Sequence, residues 1–224
     1  MLITRFISLA ARVFVTVFFS FLVAELAGYW IHRLLHSEKL LFLSRGHLIH
    51  HFLIYGPRQP MRTSPGYRDA TDKRFSVGNI GLEWLVPSAI VLAFCWVTMI
   101  LTRVPSGYQA ISICSLLAWP IFTFSYLHDR MHEENYWMTR IPLLKTWFLK
   151  ARRLHDIHHR SLDMEGRMDT NFGIGFYFFD RFFGTILQRH RPFNWTGYET
   201  AKQRYLLEEF DEEFDEESEE DSPW

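Results

Sequence analysis

Residues 6–36 read FISLAARVFVTVFFSFLVAELAGYWIHRLLH, an apolar stretch that ends in two histidines. Its apolar part, residues 6–31, is broken by Arg12 and Glu25 and is long enough to cross a bilayer with some tilt. It is too long for the apolar core of a secretory signal peptide. We therefore predict a retained membrane helix whose polar end carries His32 and His36.

Two more apolar stretches, residues 82–101 and 108–127, are separated by the turn sequence TRVPSG. This pattern predicts a helical hairpin that enters and leaves the membrane, kinked at Pro87 and Pro120. Buried helices of a soluble protein are the alternative. Cys95 and Cys114 lie inside these stretches, so we expect two buried thiols with neither a disulfide nor a redox motif.

Ten of the eleven histidines fall into four clusters of helical spacing. The clusters are His32 and His36; His47, His50 and His51; His128 and His132; and His155, His158 and His159. Residues three or four apart share a helix face, so each cluster can aim its imidazoles at one point. Imidazole is the commonest protein ligand for transition metals, and ten ligands exceed the four of a closed zinc site. The pattern therefore predicts two metal ions and leaves iron and zinc open.

The clusters are expected on one side of the membrane, because the hairpin returns to the side where the first span ends. Eight Lys or Arg lie between Arg33 and Arg74, whereas the opposite side offers little beyond Arg5 and Arg103. By the positive-inside rule this side is cytoplasmic. The predicted fold class is all-α: a multi-pass membrane bundle of three to four spans with a cytosolic helical cap that holds a ten-histidine dimetal site.

A site at the mouth of an apolar bundle suits a long hydrocarbon substrate, whose unactivated C–H bonds require iron–oxygen chemistry. An O2-dependent oxidoreductase that acts on a lipid is the first hypothesis. A membrane zinc hydrolase would usually require a carboxylate ligand or general base within a motif, such as the Glu of H-E-x-x-H, and none of the four clusters contains that glutamate. A non-catalytic metal-binding or transport protein would place its ligands near the midplane of the spans. All three hypotheses remain open at this point.

Carboxylates near the clusters are candidates for hydrogen bonds that orient the imidazoles. Asp129 and Asp156 each follow a cluster histidine, and Asp169 and Asp180 lie downstream. Glu25 lies within the first span, where an acid is costly unless it faces the bundle interior. His190 belongs to no cluster, and we expect it on the surface.

The four motifs resemble those of the fatty acid hydroxylase/sterol desaturase superfamily of membrane di-iron enzymes. They read His32-Arg-Leu-Leu-His36, His47-Leu-Ile-His-His51, His128-Asp-Arg-Met-His132 and His155-Asp-Ile-His-His159. Asn171-Phe-Gly173 and Phe179-Asp-Arg-Phe-Phe-Gly-Thr185 are similar to the closing signature of that superfamily. The stretch from Ser125 also looks like the carotenoid ring hydroxylase branch, but its histidine pair is one residue closer.

The resemblance implies two irons held by the ten histidines, with zinc as a substitute, and O2 as cosubstrate. It also implies hydroxylation or desaturation of a fatty acyl chain, a sterol or a carotenoid. Asn171 matches an asparagine that the superfamily keeps beside the metals. No haem or flavin motif is visible, so a separate electron donor of the ferredoxin or cytochrome b5/reductase type is expected. No nucleic acid is expected as a partner.

The charge is divided unevenly along the chain. Residues 208–221 contain eleven acids and no base, which leaves 24 bases and 14 acids elsewhere, a formal charge of +10. Such an acidic run is typical of a solvated, disordered segment. We therefore predict one domain over residues 1–207, followed by an acidic disordered tail over residues 208–224.

Overall fold

The computed structural model describes residues 2–64, 76–77, 80–205 and 207. The described α-helices are α1 (Leu2–Leu35), α2 (Leu41–Ile49), α3 (Leu82–Leu101), α4 (Ser106–Pro120), α5 (His128–Arg130), α6 (Pro142–Arg160), α7 (Phe178–Phe182) and α8 (Trp195–Arg204). Between them lie 3-10 turns at Glu38–Leu40 and Trp137–Arg140, π-helical turns at His50–Ile54 and Ile121–Leu127, and the two-residue strands β1 (Ser76–Val77) and β2 (Ile80–Gly81). The predicted helical fold is confirmed, with this one antiparallel hairpin as the only described sheet.

Three helices are long and apolar enough to cross a membrane: Ile7–Leu35, Trp84–Leu101 and Ser106–Arg130. They agree with the three predicted apolar stretches, and within the described residues there is no fourth. Their outer faces expose large apolar side chains, such as Phe14 and Phe94. Contiguous exposed apolar surface on this scale is expected of helices that face lipid.

The helices α1 and α4 run parallel, as their contacts show. The Ser20 and Ser112 hydroxyls are 2.7 Å apart, and the Trp119 indole donates to the Glu25 carboxylate at 2.5 Å. Further along both helices, Gly28 lies directly against the Phe124 ring. Since α3 provides the return crossing, the ends of the first and third spans, with their histidines, lie at the same end of the bundle.

The segments outside the three spans form a cap on that end of the bundle. The cap packs against the spans through the amphipathic helix α6. Its buried face includes Phe148, Ala151, Leu154 and Ile157, all of which belong to the main core. A second core joins the cap to α8 through Phe52, Tyr198, Tyr205 and Leu207.

Two expectations about flanking features have different outcomes. Cys95 is partly exposed and Cys114 is exposed, so the expectation of two buried thiols is wrong. Their side chains point outward from the spans, toward surface that a bilayer would cover. Leu207 is fully buried, but the predicted boundary after it stays a prediction, since the acidic segment 208–224 lies outside the described residues.

Candidate metal centre

All ten clustered histidines are buried at the capped end of the bundle, in two adjoining groups. Group A consists of His32, His36, His47, His51 and His158. Group B consists of His50, His128, His132, His155 and His159. Within each group the five ligand atoms all lie within 4.8 Å of one another. His190, in contrast, is exposed, as expected.

Each three-histidine motif contributes to both groups. His47 and His51 belong to group A while His50 belongs to group B; His155 and His159 belong to group B while His158 belongs to group A. The expectation that each cluster aims at a single point is therefore wrong for these two motifs. Neighbouring helix residues are rotated by about 100°, so they face different points, whereas residues four apart face the same one. Each two-histidine motif stays within one group.

The elements around the histidines explain how they come together. π-helical turns contain His50 and His51 and directly precede His128, and such turns often occur at functional sites. The Arg152 guanidinium on α6 donates to the carbonyls of Arg130 and Glu133. These two bonds hold the segment around His132 against α6. The buried Tyr205 hydroxyl donates to the His36 carbonyl in the same way.

The ring nitrogens are arranged in a way that hydrogen bonds alone do not satisfy. In group A the Nε2 atom of His36 lies 3.1 Å from those of both His47 and His158, and His47 Nε2 lies 3.1 Å from that of His51. In group B, His155 Nε2 lies 3.1 Å from those of His132 and His159. A neutral imidazole has a single N–H, so these chains of facing nitrogens lack enough donors.

Protonation does not supply the missing donors. Burial lowers the pKa of His36, His47, His51, His132, His155 and His159 well below the ordinary value, and neighbouring imidazoles lower it further. Burial also lowers the pKa of His158 to about 4, against the opposing effect of its hydrogen bond to the Thr170 carbonyl. The rings are neutral near pH 7, which is the form that binds metal. A cation at the centre of each group could bind the lone pairs of the ring nitrogens that face one another there.

The spacing of the nitrogens indicates the kind of site. Two nitrogens about 2.1 Å from one ion are about 3.0 Å apart at a right angle and about 3.4 Å apart at the tetrahedral angle. The observed 3.1 Å is closer to the first value. Each group of five histidines therefore fits an ion with more than four ligands better than a closed four-ligand structural zinc site.

Two backbone carbonyls fix the orientation of two group A rings. His32 Nδ1 donates to the Phe172 carbonyl and His158 Nδ1 donates to the Thr170 carbonyl, both at 2.6 Å. These bonds place the proton on Nδ1 and leave Nε2 free for the group. The loop between these carbonyls is centred on Asn171, at φ 56°. The sequence pointed to Asn171 as a neighbour of the metals, but not to the carbonyls on either side of it.

The carboxylates proposed from the sequence have different surroundings. Asp129 lies 3.6 Å from His128 Nδ1, whereas Asp156 binds Arg62 at 2.5 Å. Asp169 is exposed. Asp180 is fully buried, and its carboxylate accepts the backbone N–H groups of Phe172 and Gly173. Of the four, Asp180 acts most clearly on the loop beside group A.

The comparisons with known proteins agree with this geometry. Residues 17–185 match the model of the family described as fatty acid hydroxylase. The chain belongs to the fatty acid hydroxylase family. The matched range covers well over half of the chain and contains both histidine groups, the Asn171 loop and Asp180. The comparisons with curated proteins and with solved structures each found no match.

The family's helical bundle here contains a cavity of about 320 Å³ between α1, α3 and α4. Its wall is mostly apolar, with Ala27, Leu92 and Leu117 among the lining side chains. The cavity reaches His128 and Asp129 at the group B side. Trp84 lines it as well and packs against His32 of group A, with ring centroids 5.7 Å apart. Sequence reasoning predicted a site at the mouth of the bundle but had no signal for this cavity.

Proposed function

We propose that this protein is an O2-dependent di-iron oxidoreductase that hydroxylates, or desaturates, a C–H bond of a lipid. The observation that carries the proposal is the apolar cavity between the spans that ends at His128. It connects the part of the protein that lipid would surround with the buried histidines. Family membership supports the same class of reaction, since the family is generally one of hydroxylases.

The cavity suits a hydrocarbon segment by size and by lining. Burial of each methylene in such a cavity contributes about 0.8 kcal/mol, so several methylenes would hold the chain without any polar contact. The polar groups at the inner end, from Ser125, His128 and Asp129, would interact with the reacting part of the substrate. The protein would therefore bind the substrate through the apolar length of the hydrocarbon and orient one segment of that hydrocarbon toward the histidines.

Groups A and B would each hold one iron through five imidazoles. Bound there, iron would supply the one-electron redox chemistry that O2 activation and C–H cleavage require. The residues of the chain exclude water around it: the histidines are buried beneath Trp84, Tyr55 and Phe172. Tyr55 stacks on His132 with ring centroids 3.7 Å apart. Exclusion of water protects reactive species from side reactions.

The reducing electrons would come from a separate protein of the ferredoxin or cytochrome b5/reductase type on the cytoplasmic side. The exposed face of α6 carries Lys145, Lys150, Arg153 and Arg160. This positive charge at the end of the bundle supports a cytoplasmic orientation by the positive-inside rule. The orientation, the donor and the lipid are parts of the proposal.

The test combines metal analysis with lipid analysis. The wild-type protein and the variants His51→Ala/His158→Ala and His190→Ala are purified in detergent, and iron and zinc are measured per chain. Lipid extracts of the expressing cells are then compared. We expect about two irons and a hydroxylated or desaturated lipid with the wild type and with His190→Ala. The double variant, which loses two group A ligands, should form no product.

Full zinc loading with unchanged lipids would contradict the proposal. Among the alternatives, a zinc hydrolase is disfavoured because both groups consist of histidine alone, with no carboxylate among the candidate ligands. A metal-binding protein without catalysis would retain two ions per chain and leave the lipids unchanged.

A further inference from the structure

We propose that Asp180 and the loop 170–173 form a positioning device for the metal position of group A alone, so that the two ions are held independently and with different sensitivity to mutation. This inference rests on the proposed metal binding but not on catalysis. We refer to the contacts between Asp180 and this loop as the Asp180 clamp.

The clamp acts on two rings that come from different helices. His32 lies on α1 and His158 on α6, and their Nδ1 atoms donate to the carbonyls of Phe172 and Thr170, the two residues on either side of Asn171. A hydrogen bond to the second nitrogen of a ligating histidine fixes both its tautomer and its ring plane. The position of this loop therefore determines where two of the five group A nitrogens point.

The Asp180 carboxylate holds the loop through hydrogen bonds. One carboxylate oxygen accepts the N–H of Phe172 at 2.7 Å and the Thr185 hydroxyl at 2.9 Å, and the other accepts the N–H of Gly173 at 2.8 Å. Each of these donors requires an acceptor, and a carboxyl group has an acceptor oxygen for each of the two sides of the loop. An amide at this position would direct its NH2 group toward one of these donors.

Asn171 and Gly173 complete the clamp. The Asn171 amide donates to the carbonyls of Leu154 and Leu187, and its oxygen accepts the N–H of Leu187. A Cβ atom at Gly173 would lie 2.6 Å from the Phe176 carbonyl oxygen and 2.8 Å from the Asp180 carboxylate. Glycine is thus required for the carboxylate to reach both N–H groups.

The clamp contacts one group only, according to the described contacts. The Phe172 ring packs against His32, His36 and His158, all members of group A. Group B is supported by a different segment of the chain. There, the Thr63 N–H donates to the His132 carbonyl and the Tyr55 ring stacks on the His132 imidazole.

The consequence is a selective loss of one ion. Loss of the contacts that orient a metal-binding histidine typically lowers metal affinity by about ten- to a hundred-fold. Asp180→Asn should lower the affinity of group A in this way and leave group B unchanged. Gly173→Ala should have the same selective effect, because the Cβ atom of the alanine would push the Asp180 carboxylate away from the loop.

The experiment is a chelator titration of the purified full-length protein loaded with zinc or iron, with the metal retained per chain as the readout. Asp163→Asn is the matched control. The Asp163 carboxylate also accepts two backbone N–H groups, those of Glu165 and Arg167, but in an exposed turn. At a chelator concentration that leaves about two ions on the wild type and on Asp163→Asn, both clamp variants should retain about one.

The identity of the remaining ion provides the second readout. Addition of His155→Ala/His159→Ala to Asp180→Asn should remove the remaining metal, whereas addition of His51→Ala/His158→Ala should not. Parallel loss of both ions in both clamp variants, or no loss in either, would overturn the inference. A wild type that binds two ions without forming product would refute the proposed function and leave this inference standing; a wild type that binds fewer than two would refute both.

Discussion

The His51 and His159 rings pack against each other with centroids 3.9 Å apart, yet the two residues belong to different histidine groups. His51 comes from the segment after the first span and His159 from the end of α6. This contact is the border between the two candidate metal positions. It places the two candidate metal positions side by side.

The partition of the histidines predicts an unusual result for paired substitutions. His51→Ala/His158→Ala removes two ligands from group A, although the residues are distant in the sequence. His158→Ala/His159→Ala removes one ligand from each group, although the residues are adjacent. We expect the first variant to retain about one tightly bound ion and the second to release both over the same chelator range. Equal retention in the two variants, measured by elemental analysis, would contradict the partition.

The cavity predicts a substitution that stops catalysis without loss of metal. Ala27 lines the cavity, and Ala27→Phe would fill part of it. Val23, one turn earlier on α1, is 39 % exposed on the outer face, so Val23→Phe is the matched control. We expect the first variant to form product at least about tenfold more slowly, with iron content unchanged in both. Equal product formation by the two variants would show that the substrate binds elsewhere.

The close approach of α1 and α4 predicts a loss of stability for Gly28→Ala. The added Cβ atom would lie 2.1 Å from two atoms of the buried Phe124 ring, so the ring or the helix that carries it must shift. Overpacking of this kind costs about 1–3 kcal/mol. Gly107→Ala, at the start of α4, meets no atom within 4 Å and should not destabilise the protein. Thermal unfolding in detergent distinguishes them, and equal melting temperatures would contradict the packing.

The hydrogen bond between Trp119 and Glu25 predicts coupling between these residues. Glu25 is 2 % exposed, and its carboxylate accepts the Trp119 indole N–H. Glu25→Ala leaves that donor unpaired at a cost of about 1–3 kcal/mol, whereas Glu25→Gln keeps an acceptor oxygen. In a double-mutant cycle, Glu25→Ala should be less costly in the background of Trp119→Phe. Strict additivity of the two free energies of unfolding would refute the coupling.

The orientation can be measured by labelling with a membrane-impermeant thiol reagent. Ser106→Cys lies at the exposed first residue of α4, and Lys145→Cys lies on the exposed face of α6. In a chain whose two native cysteines are replaced by alanine, we expect labelling of the first position in intact cells. The second should react only after the cells are permeabilised. Labelling of Lys145→Cys in intact cells would reverse the orientation.

Several features of this protein could be predicted from the sequence because they depend on local patterns. The three spans follow from runs of apolar residues, and structure and prediction agree closely at their ends. The sequence also predicted that the histidine clusters lie on one side, because the hairpin returns to the side where the first span ends. In the structure the Nε2 atoms of His36 and His158 lie 3.1 Å apart. The identity of the ten clustered histidines required only their spacing.

The sequence by itself thus determined the three candidate spans and the set of clustered histidines. A run of apolar residues and a spacing of three or four residues can each be read within one continuous segment of the chain. The tertiary structure alone decided the division into two groups, the cavity that reaches His128, and the hydrogen bonds that join Asp180 to the loop beside group A. These features depend on the rotation of α6 against the end of the bundle and on which carbonyl of the Asn171 loop meets which imidazole. Contacts between segments so distant in the chain are set by packing, which local spacing does not encode.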